Sequence, residues 1–427
     1  MIEETLALHG GTSVNNREWP QWPQWDDATL QAATEALRGG RWAVSGHWTG
    51  SPPLDTLLAE EFADFTGARW CVPVDHGTNA LITALHGLGI GPGDEVIVPG
   101  LTWVATASVV ARVGAVPVLV DIDPATLCMD PQAAEAAITP DTVAIIAVHL
   151  YSAMANMSAL GKIARRHGLA LIEDASQAYG ATWKGQGAGS LGVAGAFSAQ
   201  QGKGLTAGEG GLFVTSDSQL REYAEVLRGD GRRYTSAAPV RGRPDLVEST
   251  TVQGWNMHLS EVQAALLLDG LRRLPEQTRK RADAGRILDA ELTAAGDLEP
   301  ITPYPGNDLR SYYHYAIRLR HDAFAGRTAA VVCEALSAEL GCWIHTPYPP
   351  LNEHPLYGPR RLRSVETDLS KRLDPSRFHL PVARYESGRT ILLHHSMLLG
   401  DRAHLDAIVS AFDKVRRLAE ALPTVSS

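Results

Sequence analysis

Between Arg69 and Thr215 the sequence alternates short, nearly continuous apolar runs with stretches of helical periodicity, and this alternation constrains the fold more than any other feature. The runs are Cys71–Val74, Glu95–Pro99, Pro117–Asp121, Ala144–His149, Ala170–Glu173, Gly195–Ser198 and Gly211–Thr215. Several are almost wholly Val, Ile and Ala, which reads as strands buried on both faces of a mostly parallel sheet. Helical patterns at Ala80–Leu88, Pro131–Ala137 and Met157–His167 fall between them, as crossover connections require. The last two runs are joined by a short link, so at least one antiparallel pairing is expected. In an open sheet of this kind ligands sit beyond the carboxyl ends of the strands, and chemistry is to be sought there.

The flanks are different. Trp19-Pro20-Gln21-Trp22-Pro23-Gln24-Trp25 opposes regular structure and is expected in an arm packed on a neighbour or on the same chain. An amphipathic helix follows from Asp27 to Arg38 and ends at Gly39-Gly40. A helical pattern from Ser260 to Leu274, continuing to about Ala295, looks like a bridge. Beyond it come strand-like Tyr313–Leu319 and Arg389–Leu393 and a closing helix, His404 to Leu422. Arg241–Asp245, near Pro239, reads as a flexible loop. The expected organisation is an arm and helix over 1–50, a large α/β domain over 51–270, and a smaller α+β domain over 271–427.

Composition excludes several function classes. A net charge of −10 without basic blocks argues against nucleic-acid binding. No apolar run approaches the roughly 18 residues of a membrane span, and Met1-Ile2-Glu3-Glu4-Thr5 lacks the start of a signal peptide. Cys71, Cys128, Cys333 and Cys342 form no CxxC pair, which speaks against disulfides or zinc and for a reducing cytoplasm. No HxxxH pattern occurs among the histidines, so no metal site is expected. His394 and His395 would alternate faces on a strand, leaving at most one inward; His149 and His345 either touch substrate or, the favoured reading, are packing or hydrogen-bonded residues.

Three features at strand ends carry chemistry. Asp75-His76-Gly77-Thr78-Asn79-Ala80 runs straight into a helix, and free N–H groups there suit a phosphate; alternatively Asp75 or Thr78 is a plain helix cap. Asp174 ends a buried run, where a carboxylate must be paired, for example to a protonated heterocyclic nitrogen, or must cap the next turn. Lys203 lies in the Gly-rich loop Gly202-Lys203-Gly204, where it can act as a nucleophile toward a carbonyl or be an exposed loop lysine. A phosphate cradle, an acid for a ring nitrogen and an amine for an aldehyde are together the needs of pyridoxal 5'-phosphate. Trp103 would then offer a flat face to its ring; without the cofactor it reads as a core or interface tryptophan.

The segments Ile172-Glu173-Asp174-Ala175-Ser176-Gln177-Ala178-Tyr179-Gly180-Ala181 and Phe197-Ser198 through Gln201-Gly202-Lys203 to Gly210-Gly211 resemble the DegT/DnrJ/StrS sugar aminotransferases, from about Leu6 to Arg417. The resemblance implies an aspartate-aminotransferase-like α/β fold of type I, with a mostly parallel seven-stranded sheet flanked by helices on both faces. It implies that Lys203 takes the cofactor aldehyde, Asp174 contacts the pyridine nitrogen and Gln177 the ring oxygen. Trp103 would stack on the ring, with Gly77, Thr78 and Ser198 on the phosphate. Gly254-Trp255-Asn256 matches a segment that reaches the phosphate of the neighbouring subunit through Asn256, which implies a homodimer with shared sites. Leu6-Ala7-Leu8-His9-Gly10-Gly11, His149-Leu150-Tyr151-Ser152 and Leu393-His394-His395 resemble the branch that moves an amino group from L-glutamine to scyllo-inosose or 2-deoxy-scyllo-inosose. A nucleotide-sugar aminotransferase, a sugar dehydratase (whose members have histidine at the position of Lys203) and a non-catalytic cofactor-binding regulator are the alternatives. Met257-His258, Gly204 and Ala153–Met157 depart from the usual pattern.

Overall fold

The computed structural model describes residues 4–249, 252–361 and 367–424. Seven strands form the central sheet: β1 (Trp70–Val74), β2 (Glu95–Pro99), β3 (Val116–Val120), β4 (Thr142–Val148), β5 (Ala170–Asp174), β6 (Ala194–Ser198) and β7 (Gly211–Thr215). Their order is β1-β7-β6-β5-β4-β2-β3. All pairings are parallel except those of β7, which runs against both β6 and β1. The antiparallel pair expected from the short link is therefore present, with a second beside it. Every residue of β2, β3 and β7 is buried, which is why their text is continuously apolar. The prolines within the edge strands, Pro73 in β1 and Pro117 in β3, sit where a sheet tolerates a missing N–H.

Helices connect and cover the strands. The elements that matter below are α1 (Asp27–Arg38), α2 (Leu54–Thr66), α3 (Gly77–Gly87) and α4 (Ala105–Arg112). They are followed by α5 (Pro131–Ala136), α6 (Met157–His167), α7 (Ser218–Arg228) and α8 (Glu261–Leu292). Helix α8 starts at a capping box between Ser260 and Gln263 and runs unbroken for 32 residues despite Pro275. Leu267, Leu268, Leu271 and Leu274 of α8 belong to the core around the large sheet, whereas Ala284, Leu288 and Leu292 belong to a second, C-terminal core. The expected bridge is thus a single rod shared by two cores.

A second sheet pairs Leu298–Pro300, His314–Leu319 and Thr390–His394, all antiparallel. Period-two alternation divides its side chains between the two cores. Ala316 and Leu392 join the large core, while Tyr315, Ile317, Ile391 and Leu393 join the C-terminal one. Leu6 also packs into the C-terminal core. The aromatic arm packs on its own chain, where Trp22 Nε1 donates to the Gln201 carbonyl at 3.0 Å and the ring meets His395 edge-on. The closing helix is Arg402–Arg417, followed by a short 3-10 turn at Ala419–Ala421.

One expectation needs correction. The segment 241–245 is not free at its end, because Asp245 is buried and accepts two hydrogen bonds from the Arg41 guanidinium, at 2.8 and 3.0 Å. Leu246–Glu248 then pairs with Arg232–Tyr234. The sequence shows an Arg-rich, Pro-flanked stretch, but the distant partner that anchors it is not local.

Candidate active site

A cleft of about 550 Å³ opens at the carboxyl ends of β4, β5 and β6, reached by Val148, Asp174 and Ser198. Gly77, Thr78, Trp103, Asp174, Gln177, Ser198 and Lys203 all line it. Asn256 does not; it is exposed and forms an isolated bridge with Gly229.

The turn after β1 leads into α3 without a side-chain cap. His76 is the N-cap and makes no capping hydrogen bond, while Asp75 accepts instead from the Asn79 side chain at 2.7 Å. The plain-cap reading of Asp75 or Thr78 therefore fails. Asn79 and Ala80 N–H groups bond the His76 carbonyl, which leaves those of Gly77 and Thr78 as free donors at the positive end of the helix. A Cβ at Gly77 would lie 2.6 Å from the Ser198 Cβ, so only glycine lets this turn approach β6 so closely. The product is a small cradle of two N–H groups and a hydroxyl, which fits a phosphate.

Asp174 ends β5 in a buried position. Its Oδ2 accepts from Thr106 Oγ1 at 2.8 Å, and its Oδ1 from the Ser176 N–H at 3.2 Å. These donors make a buried carboxylate tenable, and the arrangement fits a protonated ring nitrogen as third partner. Gln177 is oriented by the Tyr151 N–H, which its Oε1 accepts at 2.8 Å, so its amide N–H end is the one left to offer. Behind these groups His149 donates from Nε2 to Glu173 at 2.9 Å, and its Nδ1 accepts from the Ala155 N–H. Glu173 also receives the N–H groups of Gly189, Leu191 and Gly192. His149 thus has the hydrogen-bonded role read for it, clamping the loop that carries Tyr151.

Lys203 sits in a loop tied down by backbone bonds from Ala199 to Gly210, Gln201 to Gly208 and Lys203 to Gln200. Its Nζ lies 4.1 Å above the Tyr313 ring, which holds the ammonium by cation–π attraction. Trp103 is half exposed and lies on the rim, tilted against Tyr348 and edge-on to His354. Burial, reinforced by neighbouring Tyr313, raises the Tyr348 phenol well above its ordinary range, so it remains a neutral hydroxyl.

Several lining residues were not expected from the sequence. Behind the lining, the buried Thr106 that steadies Asp174 is on α4, a helix absent from the expected strands and crossovers. Tyr313, His314, Trp343 and Tyr348 come from the C-terminal half, where no motif marked them; His345, from the same half, lines the cleft as the substrate-contact alternative allows. The only signal available was alternation: His314 shares its strand face with Ala316, and His394 with Leu392. His394 lines the cleft and His395 is buried behind it, as the alternation requires. No cluster of three or more His, Cys, Asp or Glu side chains suited to a metal occurs among the described residues.

The sequence matches the DegT/DnrJ/EryC1/StrS aminotransferase family over residues 23–388. It is 48% identical over 414 residues to an L-glutamine:2-deoxy-scyllo-inosose aminotransferase of Streptoalloteichus tenebrarius, covering 96% of this chain and 97% of that one. It is 44% identical to the L-glutamine:scyllo-inosose aminotransferase of Streptomyces griseus, covering 97% and 98%. Among solved structures, 3-amino-5-hydroxybenzoic acid synthase matches with a TM-score of 0.79 at 32% identity, covering 94% of this chain and 99% of that one. DesV of S. venezuelae, solved with a ketimine intermediate, matches with a TM-score of 0.74 at 31% identity, covering 94% and 99%.

Proposed function

The chain belongs to the DegT/DnrJ/EryC1/StrS aminotransferase family and is a pyridoxal-phosphate-dependent aminotransferase, and from that premise we propose that it moves the amino group of L-glutamine to a ketocyclitol, scyllo-inosose or 2-deoxy-scyllo-inosose, in aminoglycoside-type antibiotic biosynthesis. The observation that carries the substrate reading is the full-length similarity to relatives named for that reaction. The cleft supports it. Among its described lining residues there is no arginine, and Lys203 is the sole lysine. A nucleotide sugar needs cations for its diphosphate, which this lining lacks, whereas an uncharged polyhydroxylated ring does not.

When bound, pyridoxal phosphate supplies the electron sink that lets a bond at the donor α-carbon break. The chain's own residues do the rest in this reading. Gly77 and Thr78 N–H groups and the Ser198 hydroxyl hold the phosphate. Trp103 would cover the ring, Gln177 would offer its amide N–H to the ring oxygen, and Asp174, steadied by Thr106 and Ser176, would pair with the protonated ring nitrogen. Lys203 would be the amine that holds the cofactor's aldehyde carbon and, when free, the group that moves a proton at Nζ, with the Tyr313 ring 4.1 Å away to position it.

We further propose a homodimer in which Asn256 serves the partner's phosphate cradle; its exposure and its absence from the lining of its own cleft support this. The large domain over 51–270 and the small domain over 271–427, with the arm of 1–50, remain the proposed organisation, supported by the two hydrophobic cores that α8 joins. The four cysteines are free, in keeping with a cytoplasmic enzyme. The test is the product formed from 2-deoxy-scyllo-inosose and L-glutamine, whose mass should be that of the corresponding ring amine. Recovery of unchanged ketone, with turnover of a nucleotide keto-sugar instead, overturns the substrate reading.

A further inference from the structure

The wall of the cleft contributed by the C-terminal sheet is made of imidazoles. Register sets His314 directly opposite His394, and a bridge places His345 beside Leu392. All three line the cleft. Their hydrogen bonds fix their tautomers. His345 Nδ1 lies 2.8 Å from the Thr346 carbonyl, which can only accept, so that nitrogen carries the proton and Nε2 is a lone pair. His314 Nε2, 3.3 Å away, must then donate to it. The two rings are thereby engaged with each other, and His345 with the backbone as well.

His394 is different. Its Nδ1 receives the Ser396 N–H at 3.3 Å and lies 2.8 Å from Ser396 Oγ, so Nδ1 is the lone pair and the proton is on Nε2. Two contacts from one residue hold that tautomer. The Nε2–H has no protein partner among the described residues, and unlike the Nδ1 atoms of His314 and His395 it is not sealed from the cleft. Burial lowers all three rings, His394 to about 4, with Arg281 and His345 adding to the effect there and Lys203 and its imidazole neighbours on His314. At neutral pH the wall is uncharged. At its mouth Trp343, 75% exposed, stacks on His345 with centroids 4.0 Å apart and planes at 16°.

A neutral, pre-oriented N–H donor suits a hydroxyl on an uncharged ring, and it brings no positive charge to offset a diphosphate. We infer that His394 is the specificity-determining donor for the acceptor: its Nε2–H binds a ring hydroxyl oxygen of the ketocyclitol, whose face lies against Trp343, and Ser396 is the positioning residue that holds the tautomer. This rests on the ketocyclitol reading above. The cofactor is assigned to other residues and the inference gives His394 a contact to the ketone alone, so the two halves of the reaction separate the roles.

The experiment uses the holoenzyme and the variants His394→Phe, His394→Gln and Trp343→Ala. The donor half-reaction is followed by the cofactor absorbance change with L-glutamine alone, and the acceptor half by kcat/KM for 2-deoxy-scyllo-inosose. His394→Phe should leave the donor half within about twofold and lower acceptor kcat/KM roughly tenfold to a hundredfold, chiefly through KM. His394→Gln, whose Nε2 can replace the lost donor, should recover most of it. Trp343→Ala, at an exposed position, should also raise the ketone KM. An unchanged ketone KM in His394→Phe overturns the inference. So does an equal loss in both halves without rescue by glutamine at 394, which marks a packing role. Unsubstituted enzyme that reacts with glutamine but with no ketocyclitol overturns the substrate reading itself, and is recognised because it needs no variant.

Discussion

Asp174 holds a charge at the end of a buried strand because Thr106 Oγ1 and the Ser176 N–H stabilise it, and the cleft side is open to a cationic partner. An amide keeps the shape but cannot neutralise a protonated ring nitrogen. Asp174→Asn should therefore lower kcat by on the order of 10²–10³, the usual effect of removing one aimed electrostatic partner, with the fold and the melting temperature little changed. Steady-state kinetics beside thermal unfolding would check this; equal kcat for both proteins would remove Asp174 from the chemistry. The placement of Lys203 in the cleft was legible at this scale. Its environment is set by a local Gly-rich loop between two buried strands, all written within a few residues. Thr106 and Tyr313 were not legible in the same way, because what they touch lies 68 residues away for Thr106 and in another part of the fold for Tyr313.

At the scale of elements, the start of α3 is where the proposed phosphate cradle lies. Its free N–H groups exist because His76 provides no cap, and its closeness to β6 exists because residue 77 has no side chain. Gly77→Ala forces a methyl against the Ser198 Cβ, an overpacking worth about 1–3 kcal/mol, and should weaken pyridoxal phosphate binding roughly tenfold to a hundredfold. A titration of apoenzyme followed by absorbance would show it, and an unaltered dissociation constant would place the phosphate elsewhere. The strands of the large sheet were legible to within two residues because burial on both faces leaves no polar alternation to confuse with a helix. Helix α4 was not, since Thr102-Trp103-Val104-Ala105-Thr106 has no cap and follows a strand end closely. The imidazole wall was hidden for a further reason: His314, His345 and His394 meet only through cross-strand register, which a local pattern does not encode.

On the scale of the whole molecule, Asn256 is exposed and does not line its own cleft. If it completes the partner's site, Asn256→Ala and Lys203→Ala chains are each impaired alone, yet mixed dimers carry one intact site. Unfolding and refolding the two together should restore up to about a quarter of wild-type activity, from mixed dimers forming half of the population. No recovery in verified mixed dimers would make each cleft self-sufficient. Global stability should fall in acid. His314 and His395 are pushed well below 6.5 by burial, and His258 and His394 to about 4, so each is neutral when folded and takes up a proton more readily when unfolded. Their contribution is complete above pH 6.5 and is lost as pH falls toward 4, at about 1.4 kcal/mol per unit of displacement. Buried Glu261, raised to about 7, acts in the opposite sense, becoming less costly as pH falls from 7 toward 4.5. Four imidazoles outweigh one carboxyl, so urea midpoints should drop between pH 7 and pH 4.5; a level or rising midpoint would mean that the buried histidines are charged in the fold. The central claim is that the Lys203 amine is covalently joined to the cofactor's aldehyde carbon. Borohydride reduction of the holoenzyme followed by tryptic mapping tests it most directly: a pyridoxyl group on the peptide containing Lys203 is the predicted result, and a tag on any other lysine, or on none, contradicts it.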